Sequence, residues 1–187
     1  MFVIAYSFTI GSWSPGIGDP SLMGWFTVLS YYFTAGICFL KMFARRVRYH
    51  KQEWIFWGII CFSMVILGMI KQFNLLTAIT EIGRVIARSD AWMEQRRIVQ
   101  ASAMVIVGVI FLITMIRILQ IPFLANHSIT LVGLGYLLIF VIFRGISLHQ
   151  FGVVLNYEIF GARINWIAEL IGIYCICLSV FLYPKPI

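Results

Sequence analysis

Residues 54–119 read "WIFWGIICFSMVILGMI" (54–70), "KQFNLLTAITEIGRVIARSDAWMEQRR" (71–97) and "IVQASAMVIVGVIFLITMIRIL" (98–119). Two apolar runs flank a segment that holds eight of the chain's twenty-one charged side chains, with both signs present. The flanking runs decide the fold class. The second, 22 residues long, extends roughly 33 Å as an α-helix at 1.5 Å per residue, enough for a hydrocarbon core of about 30 Å. The first extends roughly 25 Å and needs a turn from each flank. Hydrocarbon offers no water to backbone N–H and C=O groups, so runs of this length must satisfy those groups internally, as helices.

The same reading applied outward gives five expected spans, at 20–43, 54–70, 98–119, 129–148 and 164–182. They form one all-α polytopic transmembrane bundle covering residues 1–187. Asp19-Pro20 announces the first span, as an N-cap followed by proline at the first helical position. Pro122 stops the third, in the turn "QIPFLANHS". Composition agrees with this class: 61% of residues are apolar and 11% charged, against roughly 45–50% and about 25% in soluble domains. The net charge of +7 belongs to basic residues that flank spans, where they set topology and meet anionic headgroups. It does not point to nucleic acid. The first thirteen residues, "MFVIAYSFTIGSW", lack a basic n-region and a small-x-small cleavage site, so they read as a retained interfacial or re-entrant segment.

Laid on a helix, Asn74, Thr77, Glu81, Arg84 and Arg88 follow alternating steps of three and four residues and form one polar stripe. Leu75, Ile79, Ile82 and Ile86 form an apolar stripe on another face. This is the period of an amphipathic helix, expected over residues 74–89 along the membrane interface. It turns at Ser89-Asp90 into the third span. Its polar face meets water, or else headgroups or a partner protein. The mixture of signs argues against a simple anionic-lipid anchor, which is mostly Lys and Arg.

Four polar residues form a candidate intramembrane cluster: Arg144, His149, Arg163 and Glu169. Glu169 lies about one and a half turns inside the fifth span, where an ionised carboxylate needs a partner or water. Arg144, near the end of the fourth span, shares its leaflet. An Arg–Glu clasp between the two helices is the structural reading; a proton or ligand site on Glu169 is the functional one. His149 reads as an interfacial hydrogen bonder. His127 and His149 lie at opposite ends of one span, and His50 and His127 are placed near water, so no pair suits haem. Cys38, Cys61, Cys175 and Cys177 all fall in apolar runs and read as buried inert thiols. No metal site and no cofactor is expected. Walker A, Gly-x-Ser-x-Gly and His-Glu-x-x-His templates are absent from the sequence, which points away from an enzyme.

Three stretches, "WSPGIGDPSLMGWFTVLSYY", "LGMIKQFNLLTAITEIGRVIARSDAWMEQRRIVQ" and "RGISLHQFGVVLNYEIFGARINWIAEL", resemble a family of small bacterial polytopic inner-membrane proteins without an established activity. The shared pattern is an Ile-Gly-Asp-Pro lead-in, a Thr-Glu-x-Gly-Arg helix, a Glu-Gln-Arg-Arg run and a late Asn-Trp-x-x-Glu. The chain departs from that pattern at Ile70, Ala91, Met93 and Gln150, where the family has asparagine, glycine, tyrosine and a second histidine. The resemblance implies a bacterial origin and the same architecture, and carries no activity across.

Taken together, these features lead to the expectation of a non-catalytic membrane subunit or accessory protein, in contact with membrane lipids and with a protein partner or further copies of itself. The alternatives are a small oligomeric transporter or channel using Glu169 and Arg144, and a lipid-active membrane enzyme using His149 and Glu158. The basic loop carrying Lys41, Arg45, Arg46, Arg48 and Lys51 is expected on the cytoplasmic side. That places the N-terminus outside and the C-terminus in the cytoplasm.

Overall fold

The first helix, α1 (Leu22–Phe43), carries its bulk on the outside. Leu22, Leu29, Phe33 and Leu40 are exposed, while Gly24, Thr27, Ser30, Thr34, Ala35 and Cys38 face inward. Lipid tails are as apolar as leucine, so burying leucine gains little in a bilayer; small residues instead let helices approach closely. The hydroxyls on this inner face are satisfied locally: Thr27 donates to the Met23 carbonyl and Ser30 to the Phe26 carbonyl, each at 2.8 Å. The structure, a computed structural model, describes residues 18–44, 51–75, 77–78, 96–146, 157–159 and 162–182.

Along the chain follow α2 (Lys51–Gln72), α3 (Arg96–Leu119), the short α4 (Pro122–Ala125) and α5 (Ser128–Ile146). A two-residue antiparallel pair, β1 (Glu158–Ile159) with β2 (Ala162–Arg163), then leads directly into α6 (Ile164–Leu182). The described chain is therefore helical apart from this minimal hairpin, where the sequence had suggested only a loop. Three helices, α1, α2 and α6, are long and apolar enough to cross a membrane. Two shorter apolar stretches, Val105–Leu119 and Ser128–Arg144, lie within α3 and α5.

α1 occupies the centre, packed along α2 on one side and α6 on the other. α6 in turn packs along α5, and α5 carries α3 on its outer side. The buried faces follow helical spacing: Trp57, Ile60, Met64 and Leu67 on α2, and Glu169, Ile173, Ile176 and Val180 on α6. α3 is peripheral, with Val105, Ile106, Leu112 and Ile116 exposed. Between α5 and α6 the Thr130 hydroxyl donates to Ser179 at 2.7 Å, and Ser179 donates to the Ile176 carbonyl at 2.6 Å.

Helix ends differ from the sequence expectation in detail. Ser21, not Asp19, caps α1, its hydroxyl accepting from the Gly24 amide at 3.0 Å. Asp19 is drawn away by Trp166 of α6. The expected second span at 54–70 extends by a turn or less at each end to become α2. Asn74 adopts a positive φ of 51° and breaks the helix there, so the polar stripe does not continue α2. A new helical turn begins at Leu75, with the Thr77 hydroxyl donating to Asn74 Oδ1 at 2.7 Å. The remainder of the expected interfacial helix lies outside the described residues.

Candidate functional site

Four segments meet at one end of the bundle: the approach to α1, the end of α2, the end of α5 and the start of α6. The approach is fixed by backbone contact. The Gly18 amide donates to the Gln72 carbonyl at 2.9 Å, and a Cβ on Gly18 would lie 2.5 Å from the Lys71 carbonyl oxygen. Only glycine permits that approach. Gly24 serves the same purpose one turn on, since a Cβ there would meet the Asp19 backbone and side chain at 2.6 Å. Asp19 is thereby folded back over the first turn of α1, within reach of α6.

At the centre of this end sits Glu169, 1% exposed. Each of its carboxylate oxygens is held by a different helix. Lys71 Nζ of α2 donates to Oε2 at 2.5 Å, and Arg144 of α5 donates to Oε1 at 2.9 Å. Arg144 also reaches Asn165 Oδ1 of α6 at 3.4 Å. One carboxylate thus joins three helices through charge-assisted hydrogen bonds, which are roughly twice as strong as neutral ones. The two cations differ in setting: the Lys71 side chain is 8% exposed and that of Arg144 37%.

A second tie runs beside the first. The Trp166 indole donates to Asp19 Oδ2 at 2.9 Å, and the Ser21 amide donates to Oδ1 at 3.1 Å. Burial works to raise the Asp19 pKa, but hydrogen bonds from Ser21 and Trp166 and the nearby Lys71 charge outweigh it. The carboxyl is held below its ordinary value of 3.8. Arg163 stacks over the Trp166 ring at 5.2 Å from its centroid, an arrangement in which a cation meets the negative face of the ring. Between Tyr31, Lys71, Asn74, Arg144 and Glu169 is a cavity of about 20 Å³, room for about one water molecule.

The sequence singled out Arg144, Arg163 and Glu169, and all three lie at this end. Arg144 bonds Glu169 directly, while Arg163 goes to Trp166 instead. His149, Glu81, Arg84 and Arg88 lie outside the described residues; Asn74 lines the cavity and Thr77 bonds Asn74. Lys71, Asp19, Asn165 and Tyr31 also belong to the cluster, beyond the residues that the sequence singles out. On sequence alone Lys71 opens the charged segment and Asp19 caps the first span. A signal for Lys71 did exist: it directly follows an apolar run, and a lysine there needs an acid or a route to the headgroups.

The opposite end holds a different arrangement. His127, expected near water, is 3% exposed. The α4 turn folds it onto α2, where it stacks on Phe56 at 4.4 Å and meets Trp57 and Phe123 edge-on. Its Nε2 lies 3.3 Å from Glu53 Oε1, and the Trp57 indole donates to Glu53 Oε2 at 3.2 Å. Lys41 completes this end, donating to the Val180 carbonyl at 2.9 Å. Among the described residues no group of three or more His, Cys, Asp or Glu side chains is assembled to hold a metal ion. Comparison with family models, curated proteins and solved structures finds no match.

Proposed function

We propose that the chain is a non-catalytic integral membrane subunit, built to hold a defined helical surface within a larger assembly or an oligomer of itself. The observation that carries this reading is the state of Glu169. The one carboxylate a transport or acid–base role would use is saturated by two cations from two helices. The space beside it admits about one water. Such an arrangement fixes α2, α5 and α6 against one another.

In this reading α3 and α5 also cross the bilayer, giving five spans, and the membrane is the bacterial inner membrane. The basic stretch from Lys41 in the last turn of α1 to Lys51 at the start of α2, with five Lys and Arg residues, faces the cytoplasm. The Glu169 end then faces outward. Native mass spectrometry of the protein extracted directly into polymer nanodiscs tests the subunit role. The expected result is a discrete mass of fixed stoichiometry, with either further copies or one defined protein partner. A single chain accompanied only by lipid would overturn it.

A further inference from the structure

The Glu169 clasp ties three helices directly and leaves out the central one. Lys71 comes from α2, Arg144 from α5 and Glu169 itself from α6. The helix α1 reaches the same place with Tyr31, which is 1% exposed. Tyr31 stands close enough to Glu169 and Arg144 to feel both charges, yet among the described residues its hydroxyl has no hydrogen-bond partner. Buried polar groups are almost always paired, with protein or with ordered water, so an unpaired one calls for a partner. Tyr31 lines the cavity of about 20 Å³ beside the clasp, together with Lys71, Asn74, Arg144 and Glu169.

The wall of this cavity offers donors and acceptors at once. An ammonium group carries three N–H donors, and Glu169 takes one from Lys71. Each carboxylate oxygen of Glu169 bonds one cation and keeps a further lone pair. The Tyr31 hydroxyl can both donate and accept. Leu67, Ile70 and Val141 complete the wall without a polar side-chain atom. A buried water needs at least about 10–15 Å³ and two to four polar partners, and both conditions are met. Charge selects a neutral occupant. Lys71 and Arg144 are matched by Glu169 and Asp19, so an ion of either sign would upset the balance and would meet a like charge on the wall.

We infer that this cavity is a binding site for one ordered water molecule, bonded to the Tyr31 hydroxyl, to Lys71 and to Glu169. The water gives Tyr31 its partner and joins α1 to the clasp, so that all four helices meeting there belong to one hydrogen-bonded unit. Its site shares the Glu169 geometry with the subunit reading but stands without it, because it is complete within one chain.

Crystals of the full-length protein grown from a lipidic mesophase, at a resolution that shows ordered water, test this, with and without a sodium bromide soak. The expected result is a single peak at about 2.7–3.2 Å from Tyr31 Oη, Lys71 Nζ and a Glu169 oxygen, without an anomalous bromide signal. Tyr31→Phe keeps the charged wall and takes away one of three partners, and is expected to lower the occupancy of the peak roughly two-fold or more. Absence of the peak in the unmodified protein, or a Tyr31 hydroxyl bonded directly to a protein group, would overturn the inference. So would a bromide signal at the position, which would mark an anion site, or a peak unchanged in Tyr31→Phe, which would detach α1 from it. None of these outcomes depends on how many chains associate, so a failure of the subunit reading in native mass spectrometry is seen separately.

Discussion

At the scale of single residues, Glu169 bears the heaviest constraint. Removing its charge leaves Lys71 and Arg144 facing each other without an acid in a setting of low dielectric. Breaking a buried ion pair from one side costs about 3–5 kcal/mol, so Glu169→Gln is expected to lower stability by that order in detergent unfolding. Arg144→Gln should cost less, roughly 1–3 kcal/mol, because Lys71 still pairs the carboxylate and Arg144 is partly exposed. Equal losses from the two variants would contradict the shared clasp. Asp19 gives a prediction of a different kind. Its carboxyl is held below 3.8 in the folded protein, so its stabilising contribution is complete above the unfolded value and is lost as pH falls through the folded one. The Trp166 indole N–H resonance should therefore stay fixed from about pH 5 to 8 and move only below about pH 4, and Asp19→Asn should abolish that movement. Glu169 and Arg144 were legible in the sequence because each is a charge inside an apolar run. Lys71 was not, because its partner lies 98 residues away and only tertiary packing brings them together.

At the scale of elements, the described helix ends are secured by different devices, and the devices are unequal. Ser21→Ala removes the α1 cap and should cost about 1 kcal/mol. His127→Ala removes three ring contacts and the bond to Glu53, and should cost roughly 2–4 kcal/mol. Thermal unfolding of the two variants side by side checks the order; a cap effect as large as the His127 effect would mean that the aromatic cluster contributes little. Helical periodicity and apolar length made α1, α2 and α6 legible to within a few residues. The ends shifted for physical reasons that no window of sequence contains. Asp19 gave up the cap because an indole from α6 competes for its carboxylate. Asn74 ended α2 by adopting a left-handed conformation, which asparagine tolerates better than most residues. The β1–β2 pair is too short for alternation to register, and His127 looked solvated only because the fold of α4 was not visible from its four residues.

At the scale of the whole molecule, composition alone sufficed for the class, since no soluble fold accommodates this much apolar surface. The apolar stretches of α3 and α5, Val105–Leu119 and Ser128–Arg144, are shorter than the three candidate spans, so the number of crossings turns on these two helices. The polar contacts fix the ends: Asp19, Lys71, Arg144 and Glu169 share one, and Lys41, Glu53, His127 and Val180 the other. If α3 and α5 both cross, Leu75 after α2 and Gln120 after α3 lie on opposite faces of the membrane. Cysteines introduced singly at these two exposed positions, with the native thiols in the apolar helices as background, report this through a membrane-impermeant maleimide. With the basic loop inside, Leu75→Cys is expected to label in intact cells and Gln120→Cys only after permeabilisation. The reverse pattern would keep five spans and invert the orientation. Labelling of both positions from the same side would reduce the spanning set to α1, α2 and α6, with α3 and α5 lying along one face.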